Sequence, residues 1–280
     1  MAITINTNIP SLVAQKALNN ATTKMNTAME RMSTGYKINS SKDDAAGMAV
    51  SRKLDYKISS LGVAQSNAQM GASMLDTMEG IMGVVNDNLV RIRDLTEQAA
   101  NGTYGTDSMK AMATEINTRL DEISRIANSA EFNGKKLING DIKNDIKLQV
   151  GITSTDESQI TLEKDLFQDC KATTLGVAHI ADVEAWTDDD ARGYLVDVDT
   201  AIARLTDATT KIGSKQAAIT SAMNSAQVME TNLTASNSLI KDADIAKESS
   251  NYIKQQILQQ TSASLLATAN QAPAIASNLV

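Results

Sequence analysis

The sequence predicts a mainly α-helical protein: a long antiparallel coiled-coil bundle with a small β-hairpin region, its termini paired in an inner helical domain. Three observations carry this prediction. Proline occurs only at Pro10 and Pro273, so nothing between them removes a helical donor or clashes within a helix. Apolar residues recur at spacings of three and four along most of the chain. Aromatic residues are 3% of the 280 residues and hydrophobic residues 42%, so Ala, Leu, Ile and Met must fill the core, which suits close helix–helix packing.

From Ser11 a heptad register runs through Ala14, Leu18, Ala21, Met25, Ala28 and Met32. Gly35 ends this helix, and Ser33 to Ser41 reads as a linker. Asp43 or Asp44 caps the next helix, which runs to about Ala100 and spans on the order of 80 Å. Its stripe is Leu61, Ala64, Ala68, Gly71, Leu75, Met78, Met82, Val85, Leu89 and Ile92, and Asn101-Gly102 stops it. A third helix carries Met109, Met112, Ile116, Leu120, Ile123 and Ala127 on one face and ends before Asn133-Gly134.

Period-two alternation over Ile142–Val150 and Gln159–Leu162 predicts a β-hairpin within about 136–165. Residues 167–192 show no period and read as a short irregular outer loop. Helical spacing resumes at Leu195 and passes through Val198, Ile202, Leu205, Ile212, Ile219, Met223, Ala226 and Leu233. Thr209 and Gln216 occupy seam positions there, where polar residues fix register at a cost in stability. A last helix is expected over Asp242–Asn270, ended by Pro273, followed by the apolar tail APAIASNLV. The organisation is then 1–43 and 238–280 as the two parts of an inner terminal-helix domain, with 44–237 as a rod between them. A hairpin of long helices brings the chain ends together. Those ends are too polar to be firm alone and complete their burial against neighbouring molecules, which by open heterologous contacts gives a helical filament.

Chemistry-bearing constellations are thin. The one histidine, His179, allows no paired-histidine zinc motif and reads as a bystander. Asp188-Asp189-Asp190 lacks the glycine and distal glutamate of a calcium loop and reads as a solvated loop. Cys170 is the only cysteine, so no intrachain disulfide forms, and the thiol reads as a spectator. No phosphate-cradling glycine motif is present, the Asn-x-Ser/Thr triplets are chance, and the methionines are core filling. No catalytic, cofactor or metal residue is therefore expected. A net charge of −7 without a basic patch argues against nucleic acid, and no apolar run suits a membrane span. The N-terminus lacks the regions of a cleaved secretory signal, which on its own suggests the cytoplasm.

Six segments together resemble bacterial flagellins. They are INTNIPSL, RMSTGYKINSSKDDAAGMAVSRKL (Arg31–Leu54), NLVRIRDLTEQAANGTY (Asn88–Tyr104), EFNGKKL from Glu131, and IKDADIAKES with QILQQTSASLLATANQ. The resemblance covers roughly the first 140 and last 45 residues. It implies a structural protein, not an enzyme, whose terminal helices line a filament lumen. Leu18, Met25, Met32, Ile253, Ile257 and Leu265 are the implied subunit-packing residues. It moves the expected location outside the cell, reached unfolded through the flagellar type III channel. The implied partners are further copies of the chain, an export chaperone, cap and junction proteins, and a host Toll-like receptor contacting Arg91, Leu95 and Glu115. Two departures stand out. Only Cys170–Arg192 is available where many flagellins insert outer domains, and IGSKQAAITSAM replaces a segment that in the family usually ends in a basic-leucine pair. A hook–filament junction protein, or a coiled-coil adaptor of another class, are the alternatives.

Overall fold

The computed structural model describes residues 7–277, which fall into two compact units: 7–58 with 231–277, and Ser59–Glu230. The helices α2 (Ala45–Ala99) and α5 (Asp188–Lys241) contribute residues to both.

In the first unit, α1 (Ile9–Thr34) pairs antiparallel with α6 (Ile245–Ser277). Asn8 caps α1 by accepting the Ser11 amide at 3.1 Å, and Gly35 ends it in the left-handed conformation at φ 76°. Asp244 caps α6 through the Lys247 amide at 3.1 Å. Ala14, Ala21 and Ala28 are buried at seven-residue intervals, with Leu18, Met25 and Met32 half-buried beside them, as the heptad register predicts. The two linkers are stitched together by Lys37 N to Lys241 O and Ala243 N to Gly35 O, both 2.8 Å. The Lys241 ammonium lies 4.5 Å from the Tyr36 ring centroid. Asp44, of the two candidate caps, accepts the Gly47 amide at 2.9 Å and starts α2.

The expected stop at Pro273 is overturned, because α6 stays helical to Ser277. The Ala269 carbonyl, which the proline nitrogen cannot serve, takes a hydrogen bond from Asn8 instead. The tail's last residues, 278–280, and the segment before Thr7 lie outside the described residues.

In the second unit, α2, α3 (Thr106–Ser129) and α5 pack around one apolar core. The predicted stripes are buried on all three: Leu75 to Ile92 on α2, Met109 to Ala127 on α3, and Val198, Leu205, Ile212 and Ile219 on α5. Arg93 to Asp199 at 2.7 Å and Gln65 to Glu230 at 2.8 Å run α2 and α5 antiparallel. Gln216 donates at 2.8 Å to both Asp76 and Glu79, so the polar seam residue has specific acceptors across the pair.

Two small antiparallel sheets follow α3. Strands β1 (Glu131–Phe132) and β2 (Lys135–Lys136) join through Asn133 and Gly134 at φ 47° and 77°, the two positive angles a type I′ turn needs. Strands β3 (Ile146–Gln149) and β4 (Gln159–Leu162) pair with Leu148 opposite Ile160. The first strand is shorter than the alternation suggests. At its start the Asp145 carboxylate accepts the Lys164 amide at 2.8 Å, so a side chain takes over from the ladder. Gly71 on α2 leaves the space that Leu148 fills.

The outer-loop expectation for 167–192 is corrected. The segment is a strap in the core, with Phe167, Cys170, Ala172, Leu175, Val177, Ile180 and Trp186 buried. It includes a single helical turn, α4 (Ala172–Leu175), and it shows no period because each apolar residue inserts from irregular backbone. Asn117 on α3 accepts the Ile180 amide at 2.9 Å and donates to its carbonyl at 3.0 Å, substituting for a neighbouring strand. Helix α5 starts at Asp188 rather than Leu195. The aspartate run is its first turn and not a loop, favoured by the helix dipole. Thr187 and Asp190 cap it reciprocally, Thr187 N to the Asp190 carboxylate at 3.0 Å and Asp190 N to Thr187 Oγ1 at 3.3 Å.

Candidate assembly surface

The α1–α6 pair closes on small and polar residues. Against the alanine stripe of α1, the half-buried or buried positions of α6 up to residue 271 are Glu248, Ser249, Asn251, Tyr252, Gln255, Gln259, Ser262, Leu266 and Ala269, from Tyr252 onward again at steps of three and four. Gln259 donates to Thr22 Oγ1 at 2.9 Å, and Arg31 meets the largely buried Glu248 at 3.3 Å. Alanine lets the backbones approach closely, and the amides and hydroxyls across from it find partners.

The larger aliphatic residues are left facing solvent. Ile253, Ile257 and Leu265 are 52%, 57% and 58% exposed, and Ile245 and Leu258 are exposed beside them. On α1, Ile9, Leu12, Val13 and Met29 are exposed as well. Of the six residues expected to pack subunits, Leu18, Met25 and Met32 therefore border the internal seam, while Ile253, Ile257 and Leu265 stand free of it. Two paired helices that bury alanine and glutamine and display isoleucine and leucine make a sticky element, not a finished core.

Arg91 and Glu115 meet on the surface of the second unit at 3.2 Å, and Arg119 reaches the same carboxylate oxygen at 3.1 Å. Partial burial alone would raise the Glu115 carboxyl, but the bonds from Arg119 and Arg91 outweigh it and hold the group below its ordinary range. Leu95 is not with them on the surface. It is buried in the core, on the inner side of α2 with Ile92 and Ala99.

The remaining reactive groups are quiet. Burial pushes the Cys170 thiol up to about 12, which suppresses the nucleophilic thiolate. His179 is a surface residue 3.0 Å from Asp121. Among the described residues no group of three or more His, Cys, Asp or Glu side chains could hold a metal ion, and no helix is long and apolar enough to cross a membrane. The polar seam of α6 escaped the sequence reading, which followed its isoleucines. The signal was present as the 4-3 spacing of Gln255, Gln259, Ser262 and Leu266.

A bundle whose chain ends form an incompletely buried helix pair is an assembly subunit. Comparison with known proteins supplies the particular kind. Residues 5–143 match the bacterial flagellin N-terminal helical region, and residues 195–279 match the bacterial flagellin C-terminal helical region. The chain is 30% identical to polar flagellin F of Vibrio parahaemolyticus, all of both chains being covered. It is 34% identical to a flagellin of Serratia marcescens, with 97% of each covered. The fold is shared with a putative flagellar hook-associated protein from Vibrio parahaemolyticus: TM-score 0.61, 17% identity, 71% of this chain and 99% of that one. This chain belongs to the bacterial flagellin family. It is a structural subunit that self-assembles into the flagellar filament, outside the cell, and at 280 residues it is a short form.

Proposed function

We propose that the paired terminal helices are the polymerising element of this subunit and that their outward aliphatic face is buried against neighbouring copies. One observation carries this: the internal α1–α6 seam is mostly alanine, glutamine and serine, with Leu266 and Tyr252 the large apolar side chains that α6 half-buries there, while Ile253, Ile257 and Leu265 point to water. Leu18, Met25 and Met32, half-buried at the edge of the seam, complete their burial in the same step. On this reading 1–43 and 238–280 form the inner domain and 44–237 the rod outside it. The chain travels to the filament tip unfolded through the flagellar type III channel. A chaperone shields the C-terminal helix before export, and cap and junction proteins meet it afterwards. The exposed Arg91–Glu115 surface, over the buried Leu95, is where a host Toll-like receptor contacts the subunit.

Removing the segments before Ser33 and after Lys241 leaves a folded core that no longer polymerises. Negative-stain microscopy of seeded reactions tests this, and straight or supercoiled filaments from the truncated protein would show that the terminal helices are dispensable.

A further inference from the structure

We infer that Asn8 is a positioning residue that restores the hydrogen bond Pro273 removes, making the last turns of α6 conditional on pairing with α1. In a regular helix the amide of residue 273 donates to the carbonyl of residue 269. Proline has no N–H, and its ring presses on that same carbonyl, which is why proline inside a helix normally kinks or ends it. Here α6 continues to Ser277. The half-buried Ala269 carbonyl accepts instead from Asn8 Nδ2 at 2.8 Å, across the helix pair and 261 residues away in sequence.

The geometry is tightly held. Asn8 Oδ1 accepts the Ser11 amide at 3.1 Å, so both ends of one carboxamide are used, one capping α1 and the other serving α6. Ser11 Oγ donates to Asn270 Oδ1 at 2.7 Å beside it. The start of α1 thereby reads the position of the one proline in α6 and sets the axial register of the two chain ends. When the ends are apart, Ala269 has neither donor and α6 stops before Pro273. The breaker becomes a sensor of pairing.

Asparagine is the residue this needs. Aspartate and serine both cap a helix about as well, but neither offers an amide donor from that side chain. The test is a double-mutant cycle of Asn8→Asp and Pro273→Ala in seeded filaments, with wild-type elongation as the control for assembly itself. The readouts are the critical monomer concentration and amide exchange across 266–277. In the Pro273 background Asn8→Asp speeds exchange there and raises the critical concentration by about two- to tenfold, the range expected for one hydrogen bond. In the Pro273→Ala background, where residue 273 again supplies its own N–H, the effect falls below about twofold. Equal effects in both backgrounds, or none in either, overturn the inference. If the added charge of Asn8→Asp blocks assembly in both backgrounds, Asn8→Ser is scored by the same criterion, since it keeps a capping oxygen without the charge.

Discussion

Replacing Ile253, Ile257 and Leu265 together by glutamine separates the stability of the subunit from its assembly. Glutamine has nearly the helix propensity of leucine, so α6 itself is little changed. Each side chain is between 52% and 58% exposed, so slightly more than half of its burial remains to be gained between copies. Full burial of such a side chain contributes about 1.5–3 kcal/mol, so the remaining part is about 0.8–1.7 kcal/mol each and about 2.5–5 kcal/mol for the three. At about 1.4 kcal/mol per tenfold, the critical concentration for elongation rises roughly a hundred- to a few thousand-fold. Sedimentation of seeded reactions over a range of monomer concentrations measures it, and circular dichroism with urea unfolding checks that the monomer is intact. A critical concentration within about threefold of wild type would refute the reasoning, because these aliphatics would then remain in water in the filament. A monomer losing several kcal/mol would refute it differently, by showing that the side chains are already part of a core.

Two further outcomes follow from the second unit. A Cβ on Gly80 meets nothing, whereas one on Gly71 falls on the Leu148 side chain. Gly80→Ala therefore gains helix propensity and stabilises by up to about 1 kcal/mol, while Gly71→Ala loses part or all of that gain to displacement of the Leu148 side chain packed against it; urea unfolding of the two variants in parallel distinguishes them, and equal stabilisation would contradict the close approach. Several carboxyls are lowered in the folded state: Glu163 by Lys215, Glu131 by Lys136 and Glu122 by Arg125 from an ordinary 4.5, and Asp190 by Thr187 from 3.8. A depressed folded value means stability that is present above the unfolded value and lost as pH falls through the folded one. The thermal midpoint is accordingly level between about pH 7 and 5 and declines below about 4.5, and a midpoint unchanged down to pH 2 would contradict these pairs.

Much of the fold was legible along the chain. The α2, α3 and α5 stripes are buried because a helix that repeats apolar residues every three to four positions can hide them only against another helix. Gly35 and Asp44 mark helix ends through local backbone chemistry, which needs no distant partner. The strap over 167–187 was not legible, because Phe167, Ile180 and Trp186 are buried from irregular backbone and irregular insertion leaves no period. Nor was its anchor, since nothing in the spacing of Asn117 and Ile180 pairs a side-chain amide with a distant peptide group.

The assembly surface divides along the same line. Sequence by itself determined the family, the long helices, the alanine stripe of α1 and the presence of aliphatic residues in α6, since each depends on residue identity and local periodicity. Only the tertiary structure decided which face of α6 closes on α1 and which is left for other copies, because α6 carries two competing faces and the partner helix selects between them. The same holds at Pro273. Local rules end the helix there, and a donor from the other end of the chain carries it through.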